Sequence, residues 1–155
     1  MHQLLVLRHA KADRPSGVAD RDRPLAEAGR RHAAAMRDTM RRLGLAPDLV
    51  LVSPSRRTMQ TLEALEPWED TPLTEAVEEL YLADCGRMID VLRGVTETVR
   101  TVLLVGHNPG VHELVNAIGT EQQDSFPTCT LAELTILGRW RELPSGGRLA
   151  RLLTR

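Results

Sequence analysis

The chain has 155 residues, 42% hydrophobic and 26% charged, ordinary globular values that exclude a disordered, coiled-coil or membrane-embedded chain. Its 20 basic and 21 acidic residues nearly cancel, so the broad positive field of a nucleic-acid binder is missing. The aromatics, Trp68, Tyr81, Phe126 and Trp140, are too few to build a base-stacking platform.

The first predicted element is a buried strand over Leu4-Leu5-Val6-Leu7, which ends abruptly in Arg8 and His9. In open α/β sheets ligands bind at the carboxyl ends of strands, which is where Arg8 and His9 fall. Residues 12–24 are polar and rich in turn formers, hence a loop placed to act as a lid. A helix is predicted over Leu25–Leu43, with Ala28, Ala33, Met36, Met40 and Leu43 at helical spacing and Gly44 to end it.

Asp48-Leu49-Val50-Leu51-Val52-Ser53 is a second short apolar run closing on a polar residue. Ser53 or Ser55 caps the helix that follows, with Met59, Leu62 and Leu65 on its core face and Pro67 bounding it. Around Leu73 a short strand is expected, then a turn or short helix through Glu78 to Ala83. After a break at Asp84-Cys85-Gly86, the spacing predicts a helix over Met88–Val99. Thr101–Val105 is the third buried strand, followed by Gly106-His107-Asn108-Pro109-Gly110 and a helix over Val111–Ile118. Alternation in Thr130–Leu137 and in Leu149–Leu153 predicts antiparallel edge strands. No linker or repeat divides the chain, so one domain over residues 1–155 is expected.

Three apolar strands thus end in Arg8-His9, in Ser53-Pro54-Ser55-Arg56-Arg57 and in Gly106-His107-Asn108-Pro109. Parallel strands of one sheet bring these ends to one edge, giving a pocket with two histidines and at least two arginines. Arginine is a rigid, permanently charged fork that matches phosphate oxygens, and helix N-termini behind Ser53 and Asn108 add N–H donors. A neutral imidazole can attack phosphorus, and neighbouring cations keep His9 neutral near pH 7. The arginines and a donating His107 would balance charge on a metaphosphate-like transition state without a metal, so no cofactor is expected.

These stretches, Leu7-Arg8-His9-Ala10, Ser53 to Thr61 and Val105 to Pro109, resemble the three core motifs of the histidine phosphatase superfamily. Asp22-Arg23-Pro24-Leu25 and Gly29, with the small size, resemble its short SixA-type branch of protein phosphohistidine phosphatases. The resemblance runs from Gln3 to about Gly110. It implies a phosphoglycerate mutase-like α/β fold, a three-layer α/β/α sandwich with a mostly parallel sheet and an antiparallel edge. It also implies His9 as the phosphorylated nucleophile, Arg8 and Arg57 as phosphate ligands, with Arg57 fitting the motif better than Arg56, and His107 as a phosphate donor.

Two departures stand out. Ala10 occupies a position where the family usually has glycine, and the requirement there is taken to be smallness. In the family the chain resembles, mutase-like and broad-specificity members carry a glutamate upstream of a mid-chain glycine. Glu79, seven residues before Gly86 and beside Glu78, is the nearest match, as a proton donor or as a solvated helical glutamate. An alkoxide leaving group needs a positioned acid, whereas a ring-protonated phosphohistidine needs much less help. The weak acid signal therefore favours a phosphohistidine-bearing protein as partner. A small phosphomonoester and a non-catalytic phosphohistidine-binding module are the alternatives.

Nothing else points to a ligand site. Lys11 is the only lysine, so arginine abundance reflects composition rather than function. Cys85 and Cys129 form no C-x-x-C pair, and no H-E-x-x-H or phosphate-loop motif occurs, so neither a metal nor P-loop nucleotide hydrolysis is expected. His32 and His112 are expected to pack or face solvent. Without a signal peptide or a span-length apolar run, the expected location is cytoplasmic, away from membranes.

Overall fold

The apolar runs become strands of one sheet in the computed structural model, which describes residues 1–154. Strands β1 (His2–Arg8), β2 (Leu49–Val52), β3 (Leu73–Ala76), β4 (Thr101–Gly106), β5 (Leu131–Ile136) and β6 (Gly147–Leu153) lie in the order β3-β2-β4-β1-β5-β6. The first four are mutually parallel, while β5 runs antiparallel to β1 and β6 antiparallel to β5. Four helices connect them: α1 (Glu27–Arg42), α2 (Arg56–Ala64), α3 (Cys85–Arg93) and α4 (Gly110–Ile118).

Strand alternation sorts the core into two layers, because successive side chains point to opposite faces. Leu4, Val6, Val102 and Leu104 pack with Met88 and Leu92 of α3 and with Val111, Leu114, Val115 and Ile118 of α4. Leu5, Leu7, Leu103 and Val105 pack on the other face with Ala33, Met36 and Met40 of α1 and Leu62 of α2. The result is the expected α/β/α sandwich, phosphoglycerate mutase-like, with helices on both faces of a mostly parallel sheet. Among the described residues, no helix is long and apolar enough to cross a membrane.

Two local readings are corrected and one is narrowed. The helix predicted over Met88–Val99 starts earlier, with Asp84 as its cap (Oδ1 accepts from Arg87 N at 2.8 Å), and stops at Gly94. Val95 and Val99 still pack against the core, which is why they completed a helical pattern without belonging to the helix. The strand β5 is internal rather than an edge, lying between β1 and β6 with all but one residue buried. Of the two serines expected as the cap of α2, Ser55 takes the role through Thr58 N, leaving Ser53 for another partner.

Strand register fixes the site edge. Arg8 pairs with Gly106 and Val52 with Val105. The ladder continues one step through His9 N to Gly106 O and Ser53 N to Val105 O, both 3.1 Å. His9, Ser53 and His107 therefore leave adjacent strands at the same level.

Candidate active site

His9 is held by its own strand end. Its Nδ1 lies 2.7 Å from the Ala10 carbonyl, which can only accept, so Nδ1 carries the proton and Nε2 keeps the lone pair. Ala10 is fully buried and its N–H donates to Thr61 Oγ1 at 3.0 Å, while Thr61 Oγ1 donates to Arg57 O at 2.7 Å. Among the described residues the non-glycine positions with positive φ are Leu82 and Cys129, so Ala10 is unstrained and smallness is what its position requires.

Arg57 is 3% exposed and sits in the first turn of α2, whereas Arg56 points to solvent. Its Nη2 donates to His107 Nδ1 at 3.2 Å, which makes that nitrogen an acceptor and leaves His107 Nε2–H to donate to Ser53 Oγ at 2.8 Å. His107 is thus neutral here and donates to Ser53 rather than into the cavity. The two imidazoles lie with ring centroids 5.4 Å apart. Burial first, then Arg57, Arg8 and Arg23, pulls His9 down to about 4, against the lift from its Ala10 hydrogen bond. Burial, then His9 and Arg57, pulls His107 down to about 3. Both rings are uncharged at neutral pH.

The loop 12–24 closes the third side. Asp20 accepts from Arg57 twice, through its carbonyl at 2.7 Å and Oδ2 at 3.1 Å, and Oδ2 also accepts from the Tyr81 hydroxyl. The hydrogen bonds from Tyr81, Arg23 and Arg57 hold the Asp20 carboxyl at about 2, against a smaller opposing effect of burial. Tyr81 meets His107 edge-on at 5.6 Å. Arg8 donates to Phe126 O at 3.2 Å, and Asn108 Nδ2 to the same carbonyl at 2.9 Å.

Together these groups line a cavity of about 360 Å³ that holds Arg8, His9, Lys11, Asp20, Arg57 and His107. The buried Nε atoms of Arg8 and Arg57 have no hydrogen-bond partner among the described residues. The lining is strongly cationic, with the Arg8, Arg23 and Arg57 guanidiniums and the Lys11 and Arg14 side chains against the single carboxylate of Asp20, so the cavity suits a tetrahedral oxyanion. Among the described residues, no group of three or more His, Cys, Asp or Glu is arranged to hold a metal ion.

The structure brings Arg8, His9, Arg57 and His107 together. Glu79 is exposed in the turn Glu78–Leu80 and lines a different depression, with Asp84, Gly86, Arg87 and Asp90. That turn buries Leu80 in the core and sets Tyr81 against His107, and Glu79 is absent from the lining of the cavity that holds His9. The carboxylate at the cavity is instead Asp20, which sequence reasoning missed along with Tyr81 and the Ser53–His107 bond. No local pattern marks them, although Asp20 lies three residues before the Arg23-Pro24 pair that carries the family resemblance.

Fold and cavity define an α/β phosphatase, a hydrolase with an imidazole-and-guanidinium site. Residues 4–80 match the model of the histidine phosphatase superfamily (branch 1), and the chain belongs to that superfamily. It is 35% identical over 150 residues to an uncharacterised Mycobacterium tuberculosis protein, covering 90% of this chain and 93% of the relative. The SixA crystal structure from Agrobacterium tumefaciens is 30% identical, superposes with a TM-score of 0.87, and covers 99% of this chain and 98% of its own. The protein histidine phosphatase SixA in complex with tungstate is 28% identical at a TM-score of 0.85, covering 98% and 96% of the two chains.

Proposed function

We propose that this protein hydrolyses phosphohistidine on a protein partner through a phosphoenzyme on His9. The observation that carries the reading is the Nδ1–H bond of His9 to the Ala10 carbonyl, which leaves the Nε2 lone pair on a neutral ring lining a guanidinium cavity. Nε2 attacks phosphorus in line, the substrate P–N bond breaks, and the departing imidazole keeps the electron pair and leaves neutral because its ring is already protonated. Water then attacks the phosphorus of phospho-His9, releasing inorganic phosphate and regenerating the imidazole. Arg8 and Arg57 neutralise the equatorial oxygens. His107 stays neutral beside them, fixed by Arg57 at Nδ1 and by Ser53 at Nε2.

The acid at the cavity supports the choice of substrate. Asp20 is held ionised at about 2, so it offers no proton to an alkoxide, whereas an imidazole leaving group needs none. Likeness to a SixA protein crystallised with the oxyanion tungstate supports the same reading.

The test is rapid mixing with a protein phosphorylated on histidine, with glucose 6-phosphate in parallel. Acid-labile phosphate is expected on His9 and is expected to vanish in His9→Ala. A higher kcat/KM for the sugar phosphate would overturn the substrate assignment, and tight binding without turnover would make the chain a binding module.

A further inference from the structure

Leu82 stands at the cavity wall beside the phosphate groups, and phosphate chemistry has no use for it. It is 56% exposed, and its φ of 51° lies in the left-handed region that disfavours a side chain. More than half of this leucine is left uncovered in a conformation that glycine would adopt without strain. Its seat is nevertheless braced. Tyr81 donates to Asp20, Arg21 pairs with Glu78 through both its terminal nitrogens, and the Arg21 guanidinium lies over the Tyr81 ring at 5.2 Å. Loop 12–24 and the segment carrying Leu82 are thereby clasped as one rim.

The same rim is positive. Lys11 and Arg14 line the cavity, are exposed, and form no ion pair among the described residues. A free phosphohistidine or a sugar phosphate ends within the cavity and gives an exposed leucine little to bury. A folded protein surface around the phosphorylated side chain covers it.

We propose that Leu82, with Lys11 and Arg14 on the lining of the same cavity, is the docking contact for the protein that carries the phosphoryl group. Leu82 receives an apolar side chain next to the phosphohistidine, and the two cations receive carboxylates around it. The inference rests on the phosphohistidine reading above. Braced rim contacts of this kind act on encounter and KM rather than on the bond-breaking step.

The experiment compares two probes: an acidic folded domain phosphorylated with phosphoramidate on its one surface histidine, and free phosphohistidine. The wild-type protein is expected to prefer the phosphorylated domain in kcat/KM. Leu82→Ala is expected to reduce that preference about tenfold, chiefly through KM. Leu82→Gly is expected to reduce it as much while melting no lower than wild type, because glycine suits the backbone; this separates docking from misfolding. Arg14→Glu is expected to reduce the preference and weaken its decline with salt. Equal handling of the two probes by wild type, or an unchanged preference in both Leu82 variants, would overturn the docking role while leaving phosphohistidine hydrolysis standing. Failure on both probes with turnover of glucose 6-phosphate would overturn the substrate reading and the docking role with it.

Discussion

A single buried side chain, Arg57, joins three parts of the site: its backbone carbonyl takes a bond from Thr61, and its guanidinium holds the Asp20 loop and His107. Arg57→Lys keeps the charge but loses the planar fork, so kcat/KM on phosphohistidine should fall roughly 10²–10³-fold, with a lower melting temperature as well because the bonds to Asp20 and His107 are lost. The histidines set a pH signature of their own. Both have folded pKa values depressed below about 6.5, near 4 for His9 and 3 for His107. Between these values and about 6.5 the unfolded chain binds more protons than the folded one, so acid destabilises the fold across that window. Each histidine contributes a slope of up to about 1.4 kcal/mol per pH unit. Urea unfolding between pH 7 and 4.5 should show the decline, and His107→Gln should flatten it.

At the scale of elements, the site depends on helices approaching backbone closely. A Cβ on Gly110, the first residue of α4, would lie 2.1 Å from Ala83 O and 2.8 Å from Met88 Cε. A Cβ on Gly29 would lie equally close to Lys11 O, where α1 meets the strand end that carries His9. Gly110→Ala should therefore push α4 away from residues 83–88 and, through the Val111 N–His107 O bond, disturb His107. A loss of about 2 kcal/mol or more is expected, read as a melting temperature lower by ~4–8 °C, together with reduced turnover. Helix existence was legible from periodicity, as in α1 and α4, but the end of α3 was not: Val95 and Val99 keep the apolar spacing after the chain has left the helix at Gly94.

For the whole molecule, the sheet divides two cores, and the geometry of the cavity depends on the strand ends rather than on either core alone. Leu104 is fully buried in the middle of β4 against the α3 and α4 side. Leu104→Ala should cost ~2–5 kcal/mol in chemical denaturation yet leave kcat/KM nearly unchanged well below the melting temperature. The sequence by itself determined the buried strands and the polar residues at their ends, because an apolar run that stops at Arg8-His9, Ser53 or His107 is a local pattern. From it a parallel α/β sheet and a pocket of two histidines and at least two arginines could be read before any coordinates, while the choice of Arg57 over Arg56 came from the resemblance to the histidine phosphatase motifs. Only the tertiary structure decided that β5 is internal, that Asp20 rather than Glu79 is the carboxylate at the cavity, and that Ser53 orients His107. The place of β5 depends on its pairing with β1 from the far end of the chain, and the site contacts span 37 to 61 residues, Arg57 with Asp20, His107 with Ser53 and Tyr81 with Asp20; no short-range spacing encodes which distant loop a buried guanidinium will find.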